Sequence, residues 1–131
     1  MFLARRPHLL AVALLLVPVR PGAAITEPAS PVTRRTPQFE NEAVRVWRSS
    51  IAPRQPLTMH RHENGRVLVA LTGGTVKIVP ESGPSRTVTW ESGKAYWLPA
   101  DPPGERHADL NEGPEPIEVM VVELKPPASP R

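Results

Sequence analysis

The histidines are the residues whose type and spacing could do chemistry. The chain has four of them: His8 lies near the N-terminus, and His60, His62 and His107 lie further along. His60 and His62 are two residues apart in a stretch with strand character, so their side chains project from the same face. Each neutral imidazole offers one nitrogen lone pair, so such a pair forms half of a metal site. A third histidine from a distant strand would complete a facial set and leave positions open for water or substrate.

The residues around these histidines resemble the cupin family, whose motifs are G(x)5HxH(x)3–4E(x)6G and G(x)5PxG(x)2H(x)3N. In this chain the first motif reads His60-Arg61-His62, Arg66 and Gly73. The second reads Gly93, Pro99, Gly104, His107 and Asn111. The resemblance implies metal-ligand roles for His60, His62 and His107. It implies turn or structural roles for Gly73, Gly93, Pro99, Gly104 and Asn111.

The chain departs from these motifs in three places. Arg54, six residues before His60, stands where the first motif opens with glycine. The stretch from Ala100 to Pro103 makes the second motif three residues longer, which predicts a longer loop at the rim of the site. The family's glutamate ligand is replaced by Arg66, and a guanidinium group cannot bind a metal.

Arg66 leaves three interpretations open. In the first, Arg66 turns away or pairs with an acidic substrate. A three-histidine site then remains, as in the family's thiol dioxygenases and diketone-cleaving enzymes, which use iron. In the second, Glu63 supplies the fourth ligand. In the third, the metal is lost, and His60 and His62 line the barrel with hydrogen bonds to water or to Asp109.

Between Phe39 and Leu124, short stretches of alternating apolar and polar residues are separated by turn residues. Leu57 to His62 is predicted as one strand, and Arg66 to Thr72 as another with apolar residues on both faces. Gly73-Gly74 predicts a tight hairpin turn after it. The pattern is typical of an all-β protein, and we predict a cupin-type jelly-roll barrel of about eight short antiparallel strands.

Other side chains near the motifs are weaker candidates. Tyr96 and Trp97 precede the second motif, and such aromatic residues more often fill a barrel core than contact a ligand. Asp101 and Glu105 flank the His107 loop and offer carboxylates for acid–base chemistry, although acids in loops are usually only solvated.

The ends of the chain do not fit the strand pattern. Residues 1–24 combine Arg5 and Arg6 with an apolar run from Leu9 to Val17 and small residues at Ala23-Ala24, which is typical of a signal peptide. The apolar run is too short to span a bilayer, so we expect no stable membrane anchor after cleavage. The domain boundaries are predicted as 1–24 signal peptide, 25–38 proline-rich arm, 39–125 barrel and 126–131 disordered tail. The protein is therefore expected in the periplasm or outside the cell.

Charge excludes one class of partner. The chain has 16 Lys and Arg against 13 Asp and Glu. Three of the cations and none of the acids lie within residues 1–24, so the remainder is electrically neutral. A basic stripe of the kind that binds nucleic acid is absent from the sequence. The expected partner is a small molecule in the barrel, and the arm could exchange between two copies to form a homodimer.

These observations favour an exported, metal-binding cupin domain that binds a small molecule. Iron is the first expectation for the cofactor, and zinc, nickel, manganese and copper are also compatible with imidazole ligands. If the protein is an enzyme, the resemblance implies a metal-dependent, dioxygenase-like reaction first and an isomerase or epimerase second. In that reaction Arg66 would bind an anionic group of the substrate. The alternative is a non-catalytic, metal-free module that binds a small ligand or a carbohydrate.

Overall fold

The computed structural model describes residues 29–127, which form eight β-strands. In chain order the strands are β1 (Arg34–Glu40), β2 (Val44–Ile51), β3 (Arg66–Ala70), β4 (Gly74–Pro80), β5 (Arg86–Trp90), β6 (Ala95–Leu98), β7 (His107–Asn111) and β8 (Ile117–Leu124). In this range no helix is long and apolar enough to cross a membrane. The predicted signal peptide, residues 25–28 of the arm and residues 128–131 of the tail lie outside the described residues.

The strands form two antiparallel sheets. The larger sheet has the order β1-β2-β8-β3-β6 and the smaller has the order β5-β4-β7. The chain crosses between the sheets at several connections, because β3 and β4 lie in different sheets, as do β7 and β8. The predicted all-β jelly-roll barrel is confirmed.

The inner faces of the two sheets supply an apolar core at one end of the barrel. Alternate residues of β8 point inward, and the buried ones are Ile117, Val119 and Val121. They pack with Val76 and Trp90 of the smaller sheet. Further along β8 the next inward position is Glu123, and Arg66 of β3 pairs with it in register. The inner face therefore changes from apolar to polar along the barrel axis.

The tight hairpin predicted at Gly73-Gly74 is wrong. β3 and β4 do not pair with each other, and neither glycine has a positive φ. Glycine is required at both positions because neighbouring atoms lie too close to leave room for a side chain. A Cβ on Gly74 would lie 2.5 Å from Cδ1 of Ile117, and one on Gly73 would lie 2.9 Å from the backbone of Trp90 and Ser92.

The strand predicted from Leu57 to His62 is also wrong. This segment runs beside β7 and pairs with it at one isolated bridge, in which His60 and His107 exchange backbone hydrogen bonds of 2.9 and 2.8 Å. The chain bends at Met59, next to this bridge, and the pairing does not extend into a regular ladder. His60 and His62 nevertheless face the same space.

The predicted arm contains strand β1, which the sequence interpretation placed outside the barrel. β1 pairs with β2 at the edge of the larger sheet, with a register shift between Pro37 and Phe39. Its residues are exposed along its length.

The expectation that Tyr96 and Trp97 fill the barrel core is met by Tyr96, which packs against the buried core residues. Trp97 is 59% exposed and its ring covers Gly65 from outside.

Asn111 fixes the end of the barrel opposite the histidines. It is 1% exposed, and its Nδ2 donates to the carbonyl oxygens of Ile51 and Glu115 at 2.9 and 2.7 Å. Its Oδ1 accepts from the N–H of Gly113 at 2.9 Å. The structural role implied for Asn111 by the resemblance agrees with this geometry.

We expect Asn111→Ala to lower the free energy of unfolding by about 2–4 kcal/mol, because it leaves buried carbonyl groups without donors and opens a small cavity. Urea denaturation followed by circular dichroism measures the change. Asn41→Ala is the control, because Asn41 makes comparable bonds to Ala43 and Val44 at an exposed turn. Equal losses for the two variants would contradict the assigned role.

Candidate metal centre

The three histidines form a cluster at the polar end of the barrel. His60 and His62 come from the segment that follows Leu57, and His107 is the first residue of β7. The His60 ring centroid lies 4.5 Å from that of His107 and 5.0 Å from that of His62. One nitrogen from each ring lies within 4.8 Å of the others. The prediction that these three residues come together is confirmed, although one of the two segments is not a strand.

A hydrogen bond to the backbone of Thr58 determines which ring nitrogen of His60 carries the proton. Nδ1 lies 2.7 Å from the carbonyl oxygen of Thr58, which can only accept, so Nδ1 carries the proton. Nε2 is then left with its lone pair, and this atom is buried without a hydrogen-bond partner among residues 29–127. Burial lowers the pKa of His60, although the bond to Thr58 acts in the opposite direction. The ring is therefore neutral and its free nitrogen faces the cluster.

His62 is held by Glu123 in a similar way. Nδ1 lies 3.1 Å from Oε2 of Glu123, and the Trp47 ring lies parallel to the imidazole at 5.9 Å between centroids. Burial, followed by the positive charge of Arg66, lowers the pKa of His62 to about 2. Burial also raises the pKa of Glu123. A carboxylate that orients a histidine ring while the other nitrogen binds is the usual support for a metal ligand.

Asp109 lies between two of the histidines. Its side chain points inward two residues after His107, and the residue is 8% exposed. Oδ2 lies 3.8 Å from Nε2 of His60, and Oδ1 lies 3.7 Å from Nε2 of His107. Both distances exceed a hydrogen bond, and Oδ1 has no partner within the described range. The interpretation that a hydrogen bond to Asp109 satisfies His60 is therefore not what the structure shows.

Arg66 is buried, and its guanidinium group is held by the long loop before His107. Nη1 donates to the carbonyl oxygen of Pro99 at 2.9 Å, and Nη2 lies 3.6 Å from Oδ1 of Asp101. Asp101 also accepts from the backbone N–H of His62 at 2.6 Å. Its Oδ2 lies 3.6 Å from Nδ1 of His107. Burial lowers the pKa of Arg66, and the charge of Asp101 is the largest opposing effect.

Glu63 and Glu105 lie outside the cluster. Both are exposed, and neither belongs to the group of side chains that could hold an ion. The interpretation that Glu63 supplies the fourth ligand is therefore not supported by the geometry. The carboxylates that reach the histidines are those of Asp101, Asp109 and Glu123.

A cavity of about 180 Å³ leads from the cluster into the barrel. Its rim carries His62, His107, Arg66, Asp101 and Asp109. The rest of its lining is mostly apolar, apart from Arg35, Ser49 and Arg86. The apolar part, here called its floor, includes Leu57, Leu68, Ile78, Val88, Leu98 and Val121. Small-molecule sites usually combine such an apolar wall with a few convergent polar groups.

Sequence reasoning missed Glu123 and underrated two aspartates. Glu123 follows Ile117, Val119 and Val121 on the inner face of β8, so the alternation would have placed it inside. On β7, Asp109 lies two residues after His107, so the same alternation would have placed its side chain on the inner face. Asp101 carried no periodic signal, because its position depends on the path of the loop.

The residues present fit a metal ion. Two neutral rings have their Nδ1 protons engaged, so their Nε2 atoms remain as ligands. Nε2 of His60 and Oδ1 of Asp109 are buried polar atoms without partners in the described part of the chain, and such atoms are costly unless something binds them. A divalent ion held by the three imidazoles would satisfy Nε2 of His60, and the Asp109 carboxylate lies beside this group, where its negative charge would favour the ion.

Comparison with solved structures identifies the fold. A cupin domain from Bordetella pertussis Tohama I is 26% identical, with a TM-score of 0.64 over 76% of this chain and all of the other. The chain has the cupin fold. A protein with a double-stranded β-helix domain from Klebsiella pneumoniae is 21% identical over 79% of this chain and 85% of its own, with a TM-score of 0.55. A cupin family protein from Methanocaldococcus jannaschii is 12% identical over 75% of this chain and 84% of its own, with a TM-score of 0.56.

The last two likenesses show the fold alone. No family model matches the sequence, and no curated protein matches it. The cupin assignment therefore rests on the three-dimensional arrangement of the strands and on the 26% identity to the Bordetella domain.

We expect Asp101→Ala to lower the free energy of unfolding by about 2–4 kcal/mol, because it leaves a buried guanidinium group and the His62 N–H without their acceptor. Adding Arg66→Met should recover at least about 1 kcal/mol, because the unpaired charge is then gone. Chemical denaturation of the two single variants and the double variant gives this coupling. Strictly additive losses would show that Asp101 does not compensate Arg66.

Proposed function

We propose that this cupin domain binds a divalent transition metal through His60, His62 and His107, and a small molecule in the adjoining cavity. Three side-chain atoms within residues 29–127 are buried without partners, and Nε1 of Trp47 is a donor that cannot bind a metal. The observation that carries the proposal is the other two, Nε2 of His60 and Oδ1 of Asp109. Both belong to side chains that converge on the histidine cluster. Asp109 supplies a carboxylate from β7. The family's glutamate would lie on β3, at the position that Arg66 occupies.

The surrounding side chains prepare the imidazoles for this role. The Thr58 carbonyl and Glu123 hold the Nδ1 protons of His60 and His62, so neither ring loses a proton when it binds. Asp101 compensates the Arg66 charge, and Asp109 acts on Arg66 in the same direction. When bound, iron would supply activation of oxygen or polarisation of a donor atom of the substrate. An oxygenase-type reaction is our first proposal for catalysis, on family analogy alone.

A metal-free binding module is the second candidate, and Arg66 is the observation that favours it. Its side chain lies at the position from which the motif's glutamate would bind the ion, and it carries a positive charge near His62. A small anion could then occupy the cavity without a metal. Metal content separates the two candidates.

Export and pairing complete the proposal. The apolar run from Leu9 to Val17 behind Arg5-Arg6 supports a periplasmic or secreted location. β1 lies at the open edge of the larger sheet with Phe39 exposed, and this supports a homodimer formed through the arm. A small molecule remains the proposed ligand.

We expect the purified protein to bind about one equivalent of iron, zinc, nickel, manganese or copper after incubation with each ion, measured by elemental analysis after gel filtration. His60→Ala, His62→Ala and His107→Ala should each lose most of it. Asp109→Asn keeps the side-chain size, and we expect it to weaken binding about tenfold or more. Arg61→Ala is the control, because Arg61 is exposed between the two histidines. A metal-free wild-type protein would favour the second candidate.

We expect Glu123→Gln to weaken metal affinity by about 10–100-fold, because the carboxylate no longer orients His62 and raises its basicity. Competition with a chromogenic chelator measures the dissociation constant. Glu118→Gln is the matched control on the same strand, because Glu118 pairs with Arg48 away from the cluster. Equal affinities for the two variants would contradict a supporting role for Glu123.

A further inference from the structure

Strand β1 brings an arginine to the mouth of the cavity. Arg35 pairs in register with Ser49, whose side chain faces the barrel interior and is buried. Cζ of Arg35 lies 5.2 Å from the centroid of the Trp47 ring. The same indole lies parallel to the His62 imidazole. The aromatic ring therefore holds the guanidinium group beside the histidine cluster.

The Arg35 guanidinium group has no close acidic partner. Within residues 29–127 it takes part in no side-chain hydrogen bond, and no carboxylate oxygen lies within 4.0 Å of it. Arg35 is an exposed residue as a whole, but its guanidinium group is partly buried. This partial burial lowers the pKa of Arg35, and the charges of Asp109 and Glu123 oppose the effect. Arg45 and Arg66 differ, because they pair with Glu40 and Asp101 respectively.

The position of Arg35 relates the cavity to the surface. It lines the cavity of about 180 Å³. It also lines an outer groove with Phe39, Arg61 and Glu123. Arg35, Trp47 and His62 line both spaces, so Arg35 lies between the outer groove and the cavity. Five N–H donors in a planar fork match a carboxylate.

We propose that Arg35 binds the carboxylate of a small monocarboxylic acid whose apolar body lies on the floor of the barrel cavity. This deepens the proposed function, since it assigns a substrate class to the cavity beside the histidines. An apolar floor disfavours a polyhydroxylated ligand such as a sugar phosphate, whose hydroxyl groups would lose their hydrogen bonds there. The N-terminal strand is then a part of the binding site.

The test is isothermal titration calorimetry on the full chain, both metal-loaded and chelator-treated. The probes are isovalerate and phenylacetate, their amides isovaleramide and phenylacetamide, and inorganic phosphate. We expect at least one acid to bind, and its amide to bind about ten- to a hundredfold more weakly, as for loss of a charge-assisted hydrogen bond. Phosphate should not compete.

Arg35→Gln should reduce the affinity for the acid to that of the amide and leave amide binding unchanged. Arg34→Gln is the matched control, because Arg34 is the preceding residue and faces a separate outer groove with Arg48 and Glu118. Arg35→Lys keeps the charge but loses the fork, and should give an intermediate affinity. Circular dichroism checks that each variant is folded.

Equal binding of acid and amide, equal losses in Arg34→Gln and Arg35→Gln, tighter binding of phosphate, or no binding of any probe would each overturn the inference. Metal content measured on the same samples keeps the two proposals apart. Acid binding that depends on Arg35 in a metal-free protein would leave this inference standing while the metal site fails. Metal binding together with acid binding that does not depend on Arg35 would leave the metal site standing and overturn this inference.

Discussion

The ion pair between Arg66 and Asp101 is the interaction on which the polar end of the barrel depends. A buried guanidinium group without a partner would cost several kcal/mol, and it would also repel any cation bound by His62. Asp101 lies on the loop that is three residues longer than the motif requires. Its carboxylate accepts from the backbone of His62, and its own N–H donates to the His62 carbonyl oxygen at 2.8 Å. The same contact thus compensates Arg66 and anchors the loop against a metal-ligand segment.

That anchor matters because the segment from Leu57 to His62 has little regular pairing of its own. Its backbone reaches β7 through the single bridge at His60 and through the N–H of Leu57, which donates to the Asp109 carbonyl oxygen at 2.9 Å. His62 is fixed by side-chain contacts, with Asp101 on its backbone, Glu123 on its ring nitrogen and Trp47 on its ring face. The irregular backbone therefore does not imply a loose site, because His60 is oriented by Thr58 and His62 by Glu123 and Trp47.

The sequence predicted the architecture and the three histidines for physical reasons that are local. Alternation and turn residues mark strands such as Arg66–Ala70, and the motif spacing relates His60 and His62 to His107. The errors come from long-range geometry. Gly73-Gly74 reads as a hairpin turn in the sequence, but the strands on either side of it do not pair with each other. Glycine is needed at position 74 because the side chain of Ile117, more than forty residues away, lies against it. Arg35 lies in a proline-rich stretch, and only its register against Ser49 shows that it faces inward.

The change from Glu to Arg at position 66 also explains why carboxylates gather elsewhere in the site. A metal bound by three neutral imidazoles alone would keep its full charge in a partly buried place, where anionic ligands are favoured. Asp109 can supply that charge from β7, and its unpartnered oxygen is otherwise a cost to the fold. If Asp109 reduces the net charge of the site, an acid in the cavity needs a cation of its own. Arg66 is held by Asp101 and Pro99. Of the cavity's other two arginines, Arg35 and Arg86, Arg35 lies over the Trp47 ring beside His62 and is the cation placed to meet the acid there.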